Sequence, residues 1–306
     1  MNKLSAEPSI EEQGDAQIAA ASRLALLFTA WLGTLLLSRL PQIVLSELGV
    51  ISHSSWNLWW WVLIGAALFV LTYVRPSMKP LRGYFLIMTM IYVVTILLGL
   101  LQQSSIWISW FGPESSWLST FFGDRLGVVL IGLSLAGFLA LQGYRRSDYF
   151  LVIGDLRTEA RGMRLPWMIA GPVLAILLAG LTTIAILALN PLSAGSIARV
   201  IPLLPAVFIL ALMNAFGEEL AFRAAPLSQL WLTVGKGQAI WMVALWFGLG
   251  HYYGGISFGA VGAVFFTLVA VLFGKAMLET RGLAMPVFMH LLGDVVLYSL
   301  LAVNSV

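Results

Sequence analysis

The stretch VIPLLPAVFILALMNAFGEELAFR, Val200 to Arg223, is an apolar run that ends in two adjacent glutamates, Glu218 and Glu219, and an arginine four residues after the second. A run of roughly twenty apolar residues crosses the hydrocarbon core of a bilayer as a helix. Ionisable side chains inside such a run are costly, and by default they mark a functional site. The rest of the chain is read outward from this segment.

Composition extends the membrane reading to the whole protein. Hydrophobic residues make up 60% of the 306, charged residues 10%, and the mean hydropathy is +0.92. Ordinary soluble domains carry about 25% charged residues. The expected fold is therefore an all-α, polytopic transmembrane helix bundle. The chain has no cysteine, which excludes disulfides, thiolate catalysis and cysteine-ligated zinc or iron–sulfur sites. A net charge of +3 carried by short inter-helix segments reports orientation, not nucleic-acid binding. Tryptophans such as Trp56, Trp59, Trp60 and Trp61 fit a membrane interface.

Apolar runs fall at about nine places: 24–46, 56–74, 84–101, 126–143, 167–189, 200–222, 239–253, 258–278 and 284–303. The acidic lead over residues 1–23 lacks the short basic start of a cleaved signal, so it reads as a cytoplasmic tail before an uncleaved first span. With the N-terminus inside, 14 of the 17 basic residues fall on cytoplasmic segments, and Arg39, Arg125 and Arg199 are left outside. That asymmetry is what the positive-inside rule expects of a correct topology. Residues 24–190 form a five-helix region without an assigned role, and 198–306 a four-helix region that collects the ionisable residues. The inner loop 144–166 reads as a solvated connector or a segment on the membrane surface, and 102–125 as an outer interfacial loop. Short loops and the absence of cysteine suit a bacterial cytoplasmic membrane.

Helical spacing sorts the candidate residues. Positions four apart share a face, whereas neighbours point about 100° apart. Glu219 thus faces Arg223 as an ion pair, while Glu218 shares its face with Asn214. Phe247 shares a face with His251, and His290 with Asp294. His290 and His251 are two of only three histidines in the chain. At 1.5 Å per residue they lie about 9 and 18 Å along their helices. With Glu218 a turn or so from the inner end of its helix, the three can meet in a cavity opening toward the cytoplasm.

Glu218-Glu219-x-x-x-Arg223, Phe247-x-x-x-His251 and His290-x-x-x-Asp294, in that order on successive apolar segments, resemble the CPBP (Abi) family of intramembrane proteases, which includes the CAAX prenyl endopeptidase Rce1. The resemblance covers residues 198 to 306. It implies that Glu218 and His251 activate a water for attack on a peptide carbonyl and that His290, oriented by Asp294, stabilises the oxyanion. It also implies that Glu219 with Arg223 holds the helix end and assists, and that Phe247 shapes the pocket. Where the family commonly ends the third motif in asparagine, Asp294 stands here, and an ionised carboxylate accepts hydrogen bonds but donates none. The implied partners are a peptide or membrane-protein substrate and the lipid bilayer, with no nucleic acid and no cofactor.

Other readings stay open. Two histidines and a carboxylate also describe a catalytic zinc site, although no His-Glu-x-x-His segment is present. A non-catalytic scaffold or immunity protein of the same family, or a proton-coupled transporter, would also use buried carboxylates.

Overall fold

The computed structural model describes residues 10–189, 198–254 and 259–305. The first nine residues of the expected tail, the 190–197 segment and Gly255 lie outside the described residues. Among the described residues the fold is all-α apart from one small hairpin. Helix α1 (Ile10–Leu36) begins inside the stretch expected as a polar tail. It is followed by α2 (Leu40–Glu47), α3 (Trp59–Val74), α4 (Arg82–Gln102), α5 (Ser105–Phe111), α6 (Trp117–Leu141) and α7 (Trp167–Leu189). The last five helices are α8 (Leu204–Glu219), α9 (Ala225–Val234), α10 (Lys236–Gly250), α11 (Ala260–Thr280) and α12 (Ala284–Ser305).

Each of the nine expected apolar runs coincides with a helix, but not every one is long enough to cross. Among the described residues, six helical stretches are long and apolar enough to span a membrane, and seven if the bent pair α1–α2 is one span. Helix α3 has 16 residues and α10 has 15, shorter than the roughly 20 that a spanning helix needs. The protein is a multi-pass membrane protein with six or seven spans by this measure, and nine spans and the orientation of the N-terminus remain expectations. Apolar side chains such as Leu63, Ile176 and Leu268 are exposed, as lipid-facing positions must be.

Two helix boundaries differ from the sequence reading for identifiable reasons. Residues 117–125, expected in an outer loop, are the first turns of α6. Ser116 caps that helix by accepting the Ser119 amide at 3.2 Å, a start signal that the apolar pattern beginning at 126 overlooks. The segment at 200–222 does not stop at Phe222. A helical run continues from Ala198 to Val234, with a 3-10 turn over Ile201–Leu203 near its start and a π-helical turn over Leu220–Ala224. Pro226 lies just beyond that turn, where it lacks an N–H for the preceding helix and crowds its carbonyls, and a π turn absorbs the mismatch.

Pro41 explains the bend between α1 and α2, which is 57°. Proline cannot donate to the Leu37 carbonyl four residues back. In an apolar bundle that freed carbonyl must find other donors. It takes Trp246 Nε1 at 2.9 Å and the Tyr92 hydroxyl, while Ser38 O accepts Trp61 Nε1 at 2.8 Å. The break is therefore clamped by α3, α4 and α10.

The C-terminal helices pack closely through small residues, as helices in membranes do. Helix α6 crosses α8 and α10 lies along α11. A Cβ on Gly217 would meet the Val128 and Val129 backbone at 2.8 Å, and one on Gly248 would meet Thr267 Oγ1 at 2.0 Å. Because Gly217 faces backbone that cannot swing aside, Gly217→Ala is expected to cost about 1–3 kcal/mol, read as a lower unfolding temperature of the purified protein. An unchanged unfolding temperature would show that α6 and α8 can separate freely.

The 142–166 connector is folded. Its two strands, β1 (Glu159–Ala160) and β2 (Leu165–Pro166), pair antiparallel with Glu159 opposite Pro166. Glu279 on α11 accepts Trp167 Nε1 at 2.9 Å, Lys275 Nζ at 2.6 Å and the Arg161 amide at 3.2 Å. Asp155 N bonds Thr280 O at 2.7 Å and Leu283 N bonds Val152 O at 2.8 Å. The connector thus fixes the turn from which α12 carries His290 into the bundle.

Candidate active site

Helix α8 ends where its last turn delivers Asn214, Glu218 and Glu219 into the bundle, and the π turn immediately follows with Arg223. Glu219 is 0% exposed and Arg223 1%. Removing two charges from water is tolerated only when they are paired, and these two are ion-paired. The guanidinium also lies between two rings, 4.8 Å from the centre of Phe247 and 5.4 Å from that of Phe273.

Glu219 has a second partner. His290 Nδ1 lies 2.8 Å from Glu219 Oε1. A carboxylate already paired with arginine is acceptor-only, so the ring nitrogen donates. That bond fixes the His290 ring and turns Nε2 toward Asp294 Oδ2 at 3.4 Å and Glu218 Oε2 at 3.8 Å. Asp294 is buried and accepts Asn214 Nδ2 at 2.8 Å. The other end of the same amide, Oδ1, accepts Arg125 Nη1 at 2.6 Å, and Arg125 Nη1 also reaches the Tyr298 hydroxyl at 2.7 Å. Only one orientation of the Asn214 amide serves both neighbours.

His251 approaches from another side, on the turn that ends α10. Its Nδ1 lies 3.0 Å from the Phe247 carbonyl. A carbonyl accepts, so Nδ1 carries the hydrogen and Nε2 of the neutral ring is free to act as an acceptor. The ring stacks on Phe266 with centres 4.1 Å apart. His251 and Glu218 line the same cavity, about 220 Å³ in volume, together with Phe222, Trp246, Phe247, Tyr92 and Arg39.

All eight residues singled out from the sequence thus join through bonds, ion contacts or rings: Asn214, Glu218, Glu219, Arg223, Phe247, His251, His290 and Asp294. His251 joins through Phe247 and shares the cavity with Glu218. Two features of the sequence reading change. The helix bearing Glu218 runs on to Val234, which places Glu218 deep in the bundle, about 24 Å from that end at 1.5 Å per residue. The cavity also does not lie at the basic end. It is lined by Arg39, in the α1–α2 break, and by Leu58, immediately before α3, whereas Arg75, Lys79 and Arg82 follow the opposite end of α3.

Three residues of this neighbourhood were not found from sequence. Arg125, counted as an outer-loop residue, sits in α6 and reaches the site. Tyr298 follows Asp294 by four residues and so shares its face, a signal that was present. Arg39, read as an interfacial side chain, lies in the α1–α2 break and lines the cavity; its guanidinium bonds Gln42 Oε1 at 3.1 Å.

As a metal site this arrangement fits poorly. Among the described residues no three histidine, aspartate or glutamate side chains are placed to hold an ion.

The sequence model of the family described as type II CAAX prenyl endopeptidase Rce1-like matches residues 200–296. That interval holds every residue from Asn214 to Asp294 in the network and leaves out Arg39, Arg125 and Tyr298. Neither the curated proteins nor the solved structures contain a match to the chain. Residues 200–296, whose two glutamates and two histidines meet in one buried site, are thus similar to the Rce1-like family, whose members are in general peptidases.

Proposed function

We propose that this protein is an intramembrane endopeptidase that hydrolyses a peptide bond with water activated by Glu218 and His251. The observation that carries the reading is the position of Glu218. It shares a cavity with His251 and stands 3.8 Å from His290 Nε2. A water between Glu218 and His251 Nε2 gives up its proton to the carboxylate as its oxygen adds to the peptide carbonyl. The carbonyl oxygen becomes an oxyanion, which His290 stabilises as an imidazolium, its Nδ1–H held by Glu219 and its Nε2–H turned to the oxyanion, with Arg223 holding Glu219. Collapse of the intermediate breaks the C–N bond, and the proton taken from water leaves on the new amine. Peptide and water are thereby converted to two shorter peptides.

The substrate in this reading is a peptide or membrane protein that reaches the cavity from the bilayer near a hydrophobic or lipidated end, and the host membrane is the cytoplasmic membrane of a bacterium. The mechanism uses no metal. The test is hydrolysis of membrane peptides by the purified protein in proteoliposomes. His251→Ala is expected to lower turnover about 10²- to 10⁴-fold, and prolonged treatment with a strong zinc chelator is expected to leave it unchanged. Loss of activity on chelation, restored by zinc, would transfer the mechanism to a metal. Wild-type protein that cuts nothing but carries protons in a Glu218-dependent way would be a transporter.

A further inference from the structure

Three carboxylates, Glu218, Glu219 and Asp294, surround His290. Arg223 balances Glu219. Asp294 is buried, and among the described residues no arginine or lysine lies within ion-pair distance of it. What it has is the Asn214 amide, whose N–H end points at Asp294 because Arg125 occupies its carbonyl end. Without Arg125 the amide can rotate, and its oxygen can face Asp294, which turns an attraction into a repulsion.

We propose that Arg125 is a positioning residue for the reaction. It acts on His290 through Asn214 and Asp294, so that a side chain from α6, outside the Rce1-like segment, completes the active site. Tyr298 shares the same guanidinium nitrogen at 2.7 Å and limits its freedom. The guanidinium also lies over the Phe121 ring at 4.8 Å, a contact within α6 itself. The direction of the Asn214 amide is thus set by a cation whose own position is fixed from two sides.

The inference rests on the endopeptidase reading for its kinetic arm and has a second arm that does not. In the full-length protein, Arg125→Met is expected to lower kcat about 10- to 100-fold through misplacement of His290, with KM within about twofold. In an Asp294→Ala background the same change is expected to have almost no further effect, because loss of the side chain that links Asn214 to His290 has already cut its route. Arg125→Gln, which keeps a donor for Asn214 without the charge, is expected to fall between wild type and Arg125→Met, and it serves if the methionine variant does not fold. With only three histidines in the chain, ¹⁵N-histidine labelling resolves the His290 ring without reference to activity. Its resonances are expected to move in Arg125→Met and to stay in place when that change is added to Asp294→Ala. Kinetic effects of Arg125 and Asp294 that multiply, a change in KM alone, or unmoved His290 signals would each overturn the proposal. If the wild type hydrolyses nothing, the endopeptidase reading fails and the ring signals alone decide the positioning role.

Discussion

Glu218→Gln is expected to lower turnover about 10²- to 10⁴-fold while leaving the fold in place. The two halves of that expectation have separate physical grounds. The amide is nearly the same shape as the carboxylate but cannot take a proton from water, so the attacking nucleophile is not formed. Glu218 is also the one glutamate of the pair that is not locked into an ion pair. Its nearest charged contact is at 3.8 Å and its side chain is 17% exposed at the cavity. Its removal leaves no stranded partner, and the stability is expected to stay within about 1 kcal/mol of wild type. Binding of the peptide should be retained, so the loss falls on kcat, not KM. Initial rates in proteoliposomes and thermal unfolding in detergent measure both. A variant that keeps more than a tenth of the wild-type rate would remove Glu218 from the chemistry, and the cavity it lines would need another base.

The adjacent glutamate gives a contrasting signature, and the sequence contains the reason. Helical spacing alone separates Glu218 from Glu219, pairs the latter with Arg223 and puts Asp294 on the face of His290. Those relations are local, within one turn of one helix, and local periodicity reports them well. The link from His290 to Glu219 joins residues 71 positions apart, and no pattern within either helix encodes it. Arg125 was harder still. An arginine at the edge of an apolar run reads as a loop residue until the helix start is moved back to Ser116, and only tertiary packing brings it to Asn214. The π turn was equally invisible, since Pro226 announces a disturbance but not its form. All nine apolar runs were legible as helices, whereas their capacity to cross a bilayer depends on lengths such as the 15 residues of α10, which boundary signals set only loosely.

Arg223→Met is expected to produce the largest loss of stability of any single change near the site. The guanidinium is 1% exposed and its partner Glu219 0%, so truncation leaves a carboxylate in an apolar bundle with only His290 beside it. Breaking a buried ion pair from one side costs about 3–5 kcal/mol, and the lost contacts to Phe247 and Phe273 add to it. A shift of roughly 6–20 °C in thermal unfolding corresponds to that range. Methionine fills much of the space, so the effect reads out charge more than cavity. The double variant Glu219→Gln/Arg223→Met discriminates between a charge and a shape role. Removing both charges removes the stranded carboxylate, and stability is expected to return to within about 1–2 kcal/mol of wild type. Turnover is not expected to return with it, because His290 Nδ1 then bonds a neutral amide in place of the carboxylate that holds its ring. If the double variant is as unstable as Arg223→Met, Glu219 needs no counterion, and the arginine serves the packing of the π turn between two phenylalanines. If it regains full activity, the carboxylate at 219 holds only the helix end, and His290 is positioned by Asp294 alone.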